Sequence, residues 1–166
     1  YCLQTARQKG WRLTTHVAES AEEYEMFMYG QGKLHHWLKS QRAMEDCGHV
    51  SPVHLLERLG ALGEDFLAVH VNYLWHEDAE LLGKHRVSVA HCPRSHAYFK
   101  HQCFPRRQLE GKGVNICLGT DSLASVKKQR GMPLELNLFS EMQAMSANDP
   151  ALPPEEILRM ATLNGA

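Results

Sequence analysis

The sequence predicts an α/β fold with a parallel sheet, and more closely the C-terminal half of an eight-stranded β/α barrel. Four short strand-like runs alternate with helix-forming segments along the 166 residues, and this alternation is typical of parallel sheets. The last three runs are mainly apolar, as expected of strands that are buried on both faces. Each run ends in a residue that can hold a metal or move a proton. Barrels of this kind build their sites at the C-terminal ends of their strands.

The strand-like runs define where the sheet is expected. They cover residues 12–16, 66–71, 87–91 and 114–118, and the first, which contains Arg12 and two threonines, is the least apolar. The helices between and after them are expected at residues 18–27, 33–40, from 51 to 60 or 63, 77–84, 104–111, from 133 onward and from 153 onward. Ser51 is the expected cap of the third helix, with Pro52 at its first position. Tyr29–Gly32 should end the first of these helices, which is expected at residues 18–27.

Two segments are expected to be loops, and one helix has an expected inward face. The loops are the stretch from Cys92 to His96, directly after the third strand, and the charged stretch from Lys127 to Gly131, which includes Gln129 and Arg130 and should be solvated. Pro133 is expected to open the following helix. Its predicted inward residues are Leu134, Leu136, Leu138, Met142 and Met145.

Four β/α units make up half of an eightfold barrel, which typically needs about 250 residues. The chain opens in what reads as the tail of a preceding helix. We therefore expect residues 1–166 to be a partial barrel domain, truncated at both ends, with the N-terminal remainder of the same barrel as its partner. A complete small open-sheet domain is the alternative.

Composition narrows the class of protein and of partner. The net charge is −1, which gives no indication of a nucleic acid or an anionic membrane surface as partner. The longest apolar runs fall well short of the roughly 20 residues that span a bilayer. The five cysteines are odd in number and form no C-x-x-C pair, which argues against a disulfide framework and favours a reducing, cytoplasmic setting. A small-molecule substrate fits best, and a homo-oligomer is compatible with these features.

The chemistry is expected at His16-x-x-Glu19 and at Asp121. Imidazole nitrogen and carboxylate oxygen are usual zinc ligands, and a catalytic zinc keeps a position open for water. Glu19 lies just past the strand end that presents His16, where a carboxylate could carry a proton. His70, at the next strand end, could orient the attacking water. His16 and Asp121 alone are too few ligands, so we expect the others to come from strands outside this chain.

Five motifs in order resemble the metal-dependent amidohydrolase superfamily, in its branch of chlorohydrolases and aminohydrolases. The motifs are Thr15-His16-Val17-Ala18-Glu19, Val69-His70-Val71-Asn72, His91-Cys92-Pro93-Arg94-Ser95-His96, Leu118-Gly119-Thr120-Asp121-Ser122 and Met160-Ala161-Thr162-Leu163-Asn164-Gly165-Ala166. The resemblance covers nearly the whole chain. Its closest form is that of adenosine-type or aminodeoxyfutalosine-type deaminases.

The resemblance implies a role for each motif residue. His16 resembles the metal ligand after the fifth barrel strand and Asp121 the ligand after the eighth, and Asp121 would also help to activate the water. Glu19 resembles the proton shuttle, and His70 the catalytic histidine after the sixth strand. The family's first-strand His-x-His pair has no counterpart here. The implied metal is zinc, with Fe²⁺ as the alternative.

The residues after the third strand could either contact substrate or support the surrounding structure. His91 could orient substrate or brace the loop, and Arg94, Ser95 and His96 could line the substrate pocket. Arg94 could instead pair with a carboxylate, and the family usually has asparagine where His96 stands.

The resemblance implies a hydrolase that deaminates a purine-like or related heterocycle by attack of metal-activated water. A chlorohydrolase, a cyclic amidohydrolase and an inactive barrel fragment that lacks the first-strand ligands are the alternatives.

Overall fold

The strands form one parallel sheet. The structure is a computed structural model, and it describes residues 1–128, 131 and 134–166. Its strands are β1 (Leu13–Val17), β2 (Phe66–His70), β3 (Ser88–His91) and β4 (Asn115–Leu118). They lie in the order β1-β2-β3-β4, and every neighbouring pair is parallel. The predicted parallel α/β sheet is therefore confirmed, with strand ends within one residue of the expected ones.

Helices alternate with the strands along the chain, as predicted. In chain order they are α1 (Cys2–Lys9), α2 (Ala21–Tyr29), α3 (Gly32–Leu38), α4 (Pro52–Arg58), α5 (Asp78–Lys84), α6 (Pro93–Phe99), α7 (Arg106–Glu110), α8 (Leu138–Asn148) and α9 (Pro154–Ala161). The Ser51 hydroxyl accepts the backbone N–H of His54 at 3.1 Å and caps α4, as predicted. Gly30 ends α2 in the left-handed conformation. Within the described ranges, every helix falls short of the length and apolar character that a membrane crossing requires.

Two local predictions were wrong. The stretch after β3 is the helix α6, in which Pro93 occupies the first turn, and not a loop. Pro93 suits this place because a first-turn residue has no intrahelical use for its N–H. Helix α8 begins at Leu138, and Leu134, Leu136 and Leu138 are exposed rather than inward. The expected helix start at Pro133 and the expected loop residues Gln129 and Arg130 lie outside the described residues.

The core lies on one face of the sheet. Val89 and Ile116 point towards the helices and pack in the same cluster as Leu109 of α7. Ser88 and Asn115, which alternate with them along the strands, are half-buried and exposed on the other face. The sheet therefore has one face covered by helices and one open face. Because the strands are parallel, their C-terminal ends all lie at one edge of the sheet.

Candidate metal centre

Three side chains that can bind a metal converge at the C-terminal edge of the sheet. His16 lies near the end of β1, His70 ends β2, and Asp121 follows β4 by three residues. Each offers a ligand atom, and the three atoms lie within 4.8 Å of one another. Nε2 of His16 is 4.0 Å from Oδ1 of Asp121, and the His16 and His70 rings stack with centroids 5.1 Å apart. The sequence predicted this meeting because parallel strands end at one edge.

The donor set fits a divalent ion of borderline softness. Two imidazole nitrogens and a carboxylate oxygen are ligands that zinc and iron share. Two ligands of a tetrahedral zinc stand about 3.3 Å apart at the usual bond lengths, and the separations here are somewhat wider. His16 is open to solvent, with 63% of its side chain exposed, whereas the side chain of Asp121 is 16% exposed. The residues present therefore suit a metal whose coordination is completed by other groups.

Asp121 is held in place by a neighbouring hydroxyl. Ser125 Oγ donates to Oδ2 of Asp121 at 2.7 Å, which leaves Oδ1 to face His16. Burial by itself raises the pKa of Asp121, but the hydroxyls of Ser125 and Ser95 and the nearby imidazoles of His70 and His16 lower it below its ordinary value. Asp121 is therefore ionised at neutral pH, which is the form in which a carboxylate can bind a metal. Sequence reasoning assigned Ser125 no role, since its partner is recognisable only in three dimensions.

His70 is a buried imidazole with a free nitrogen. Only 2% of its side chain is exposed, and among the described residues its Nε2 has no hydrogen-bond partner. Burial lowers the pKa of His70, although the negative charges of Glu19 and Asp121 oppose this shift. Nε2 lies 3.6 Å from Oε1 of Glu19. His70 thus faces the Glu19 carboxylate and the side chains of His16 and Asp121 at once, a position that suits either a catalytic group or a third metal ligand.

The backbone at the strand ends is strained. Ala18, His70, Val71 and Asp121 have φ angles of 49°, 74°, 51° and 51°. Residues with a Cβ rarely adopt this left-handed region, and for a β-branched residue such as Val71 it is a genuine outlier. Such strain clusters at functional sites, where the surrounding structure holds it in place.

The loop that carries Glu19 has supports that sequence reasoning missed. The carboxylate of Glu23 accepts the backbone N–H groups of Ala18 and Glu19, and the side chain of Asn72 donates to the carbonyl of Glu19. The Ser20-x-x-Glu23 spacing is a helix-start signature that could have identified Glu23 as a loop-binding residue. Asn72 stands in a motif used for the resemblance but carried no predicted role.

His91 and His96 lie beside each other, and both are near enough to His70 for its charge to act on them. His91 shares the helix-covered face with Val89, and its ring stacks on Phe104 with centroids 3.8 Å apart. The His96 ring meets the His91 ring edge-on at 5.3 Å. Burial lowers the pKa of both histidines, that of His91 furthest. Both line a cavity of about 660 Å³, together with His101 and Phe104 among other residues.

Ser95 and Arg94 occupy the first turns of α6. Ser95 is buried, and its hydroxyl lies close enough to the Asp121 carboxyl to lower the pKa of that group, although it makes no well-formed hydrogen bond within the described part of the chain. The Arg94 guanidinium donates to the carbonyl of Glu135 at 3.1 Å and lies 3.6 Å from Glu141, a fully buried carboxylate of α8. The backbone N–H of Arg94 also donates to Glu141, at 2.9 Å. These contacts join Arg94 to α8 rather than to the converging ligands.

Comparison with known proteins identifies similar sequences over the whole chain. The family model described as the amidohydrolase family matches residues 1–166. A 5-methylthioadenosine/S-adenosylhomocysteine deaminase from Pyrococcus horikoshii is 32% identical over 170 residues, which cover 99% of this chain and 36% of the relative. A 5'-deoxyadenosine deaminase from Methanosarcina acetivorans is 35% identical over 147 residues, or 82% of this chain and 32% of the relative. The chain spans about a third of the length of the curated relatives it matches.

Solved structures show a similar fold. An adenosine deaminase from Xanthomonas campestris with bound zinc matches 98% of this chain and 33% of its own, with a TM-score of 0.73 and 27% identity. The guanine deaminase of E. coli matches 99% of this chain and 34% of its own, with a TM-score of 0.74 and 20% identity. At the lower identity the likeness concerns the fold alone.

Proposed function

Because this chain belongs to the amidohydrolase family, we propose that it contributes strands five to eight of a β/α barrel to a metal-dependent deaminase of adenine-bearing or related purine-like compounds. The observation that carries the proposal is the meeting of His16, His70 and Asp121 at one strand edge, with Glu19 beside them. Two relatives whose names specify deamination of adenosine derivatives support the substrate class. In this proposal residues 1–166 work together with the rest of the barrel.

His16 and Asp121 are the proposed metal ligands of this chain, and His70 is close enough to join them. A zinc ion bound there would act as a Lewis acid and lower the pKa of a water molecule towards 7. Ser125 keeps the Asp121 carboxylate turned towards His16. Zinc is the favoured metal because a solved relative of similar fold carries it, and iron has the same nitrogen and oxygen preferences.

Hydrolytic deamination requires one water molecule to add to the ring carbon and ammonia to leave. A proton must therefore pass from the water to the ring and the departing amino group. Glu19 is the proposed carrier, because its carboxylate is 28% exposed and stands 3.6 Å from the imidazole of His70. His70 is kept neutral by burial, so it can accept or donate one hydrogen bond and orient the attacking oxygen.

The residues of α6 divide into two proposed roles. Ser95 and His96 are the proposed substrate-binding residues, because both are buried and carry a polar atom that makes no well-formed hydrogen bond within the described residues. His91 is stacked on Phe104, and Arg94 is tied to Glu141, so both are better suited to support the substrate site than to contact substrate.

Deaminase assays of the intact protein test the proposal. We expect ammonia release from one or more of a panel of adenine nucleosides and aminopurines, together with bound zinc. Glu19→Gln should lower kcat by about 10²–10⁴-fold, the usual contribution of a positioned acid–base group, with the zinc content unchanged. The matched control is Glu22→Gln, an exposed carboxylate three residues further along.

Two results would contradict the proposed function. One is a purified protein that holds no zinc or iron and binds none when the metals are supplied. The other is an active enzyme in which Glu19→Gln and Glu22→Gln turn over at the same rate. His16→Asn should lower the zinc content, because it removes an exposed ligand without opening the core.

A further inference from the structure

The backbone of Ala18 and Glu19 has a partner at each of its four polar groups. Both oxygens of Glu23 are used, one for the N–H of Ala18 and one for the N–H of Glu19, each at 2.7 Å. The carbonyl of Ala18 accepts the backbone N–H groups of Asn72 and Tyr73, at 3.0 and 3.1 Å. The carbonyl of Glu19 accepts Nδ2 of Asn72 at 3.0 Å. Two side chains, Glu23 and Asn72, thus supply three of the contacts that hold this dipeptide.

These contacts go beyond ordinary helix capping. In a capping box the glutamate at the third helical position binds the N–H of the cap residue, which in α2 is Ser20. Here the Glu23 carboxylate reaches past Ser20 to the two preceding amides. Asn72 is 5% exposed and belongs to the segment after β2, so its bond to Glu19 joins two strand ends. The pair fixes a segment in which Ala18 holds a positive φ angle.

The side chain of Glu19 has the opposite character. Its backbone N–H and carbonyl are both hydrogen-bonded. Its side chain is 28% exposed, and Oε1 lies 3.6 Å from Nε2 of His70. A fixed backbone with an open carboxylate is what a proton carrier needs, because its reach is set while its oxygens stay available.

We propose that Glu23 and Asn72 are positioning residues that act through Glu19 and set the place from which its carboxylate transfers the proton. This inference rests on the proposed function, in which Glu19 carries the proton. Glu23→Gln turns one acceptor into a donor that faces a backbone N–H, so one amide loses its partner. Asn72→Ser removes the donor to the Glu19 carbonyl and leaves the backbone contacts of residue 72 in place.

The test compares kinetics in the intact protein across two backgrounds. Glu23→Gln and Asn72→Ser should each lower kcat by about 10–100-fold, as misplacement of a catalytic group by about 1 Å does, with KM and zinc content unchanged. In a Glu19→Gln background, adding Glu23→Gln should change kcat by less than about threefold, because residues that act as one unit are not additive. Glu22→Gln, on the same helix, is the control that should keep the activity of the parent.

The outcomes separate this inference from the function it rests on. If Glu19→Gln leaves kcat unchanged, the proposed function fails. If Glu19→Gln lowers kcat but Glu23→Gln and Asn72→Ser do not, only the positioning inference fails. An equal loss on adding Glu23→Gln to the parent and to Glu19→Gln would also overturn it, since the effect would not pass through Glu19. Loss of the folded state in both single variants would overturn it as well, because the pair would then be structural.

Discussion

A buried carboxylate joins the starts of two helices, and its removal should be severe. Asp78, in the first turn of α5, is fully buried. Its Oδ1 accepts the Ser51 hydroxyl at 2.5 Å and Nδ1 of His54 at 2.9 Å, and its Oδ2 accepts the backbone N–H of Trp75 at 2.7 Å. Ser51 is also the cap of α4. One carboxylate therefore holds α4, α5 and the segment that leads from β2 to α5.

The size of the loss follows from these three contacts. Hydrogen bonds to a charged group contribute about 1.5–3 kcal/mol each, and a buried donor left unpaired costs about 1–3 kcal/mol. Asp78→Asn can keep an oxygen towards Ser51 and His54 but turns an N–H towards Trp75, so we expect about 2 kcal/mol of lost stability. Asp78→Ala removes all three acceptor contacts and opens a void, and we expect about 3–5 kcal/mol.

Urea unfolding of the intact protein, followed by far-ultraviolet circular dichroism at pH 7, measures both losses. Glu80→Gln is the matched control on the same helix, because the contact of Glu80 with Lys112 is exposed and such pairs contribute about 1 kcal/mol or less. The reasoning is refuted if Asp78→Ala lowers the unfolding midpoint no further than Glu80→Gln does, with equal slopes.

Three further outcomes are expected elsewhere in the fold. Ser125→Ala should raise the zinc dissociation constant by about 10–100-fold in equilibrium dialysis, because Asp121 loses the hydroxyl that orients it. Burial lowers the pKa of His91 in the folded state, so unfolding takes up a proton below about pH 6.5, and stability falls as the pH drops towards the folded pKa. His91→Gln should therefore lessen the pH dependence of urea unfolding in that window by about 1.4 kcal/mol per pH unit. Gly83→Ala should lower stability by about 1–3 kcal/mol, since its Cβ would meet the Lys112 carbonyl at a separation no real Cβ shows.

Each of these outcomes has a control from the same region. Ser122→Ala, an exposed hydroxyl beside Asp121, should leave zinc affinity unchanged. His36→Gln makes the same substitution at an exposed histidine of α3 and is the control for His91→Gln. Lys84→Ala, one residue beyond Gly83, should change stability by less than about 0.5 kcal/mol. A variant that behaves like its control would contradict the corresponding explanation.

The strands could be predicted from the local residue pattern. The stretch after β3 and the start of α8 could not be predicted in this way. Short strand-like runs that alternate with helix signals located all four strands, although only the last three runs are mainly apolar. The loop expected after β3 was wrong because the N–H of Arg94 finds its partner on Glu141, 47 residues away. The inward face expected for Leu134, Leu136 and Leu138 was also wrong, because α8 begins later than the leucine pattern suggested.

The site was predictable to the extent that it lies at strand ends. His16, His70 and Asp121 were selected by position, and the parallel sheet brings their ligand atoms together. The residues that hold these side chains and Glu19 in place could not be recognised from their position in the sequence. Ser125 and Asn72 act through single hydrogen bonds whose partners depend on how the loops fold. The roles of the three converging residues and of Glu19 stay predictions until the variants are measured.

The residues with positive φ angles at the strand ends imply a conflict between thermal stability and catalytic turnover. Each such residue other than glycine costs on the order of 1–3 kcal/mol, and Ala18, His70, Val71 and Asp121 all hold positive φ angles. Selection for heat resistance alone would favour glycine or asparagine at Ala18 and Val71, where the side chain has no proposed chemistry. Selection for turnover would oppose the same changes, because glycine frees the segments next to Glu19 and His70. In directed evolution, populations selected for heat resistance and populations selected for turnover should therefore first differ in sequence at Ala18 and Val71.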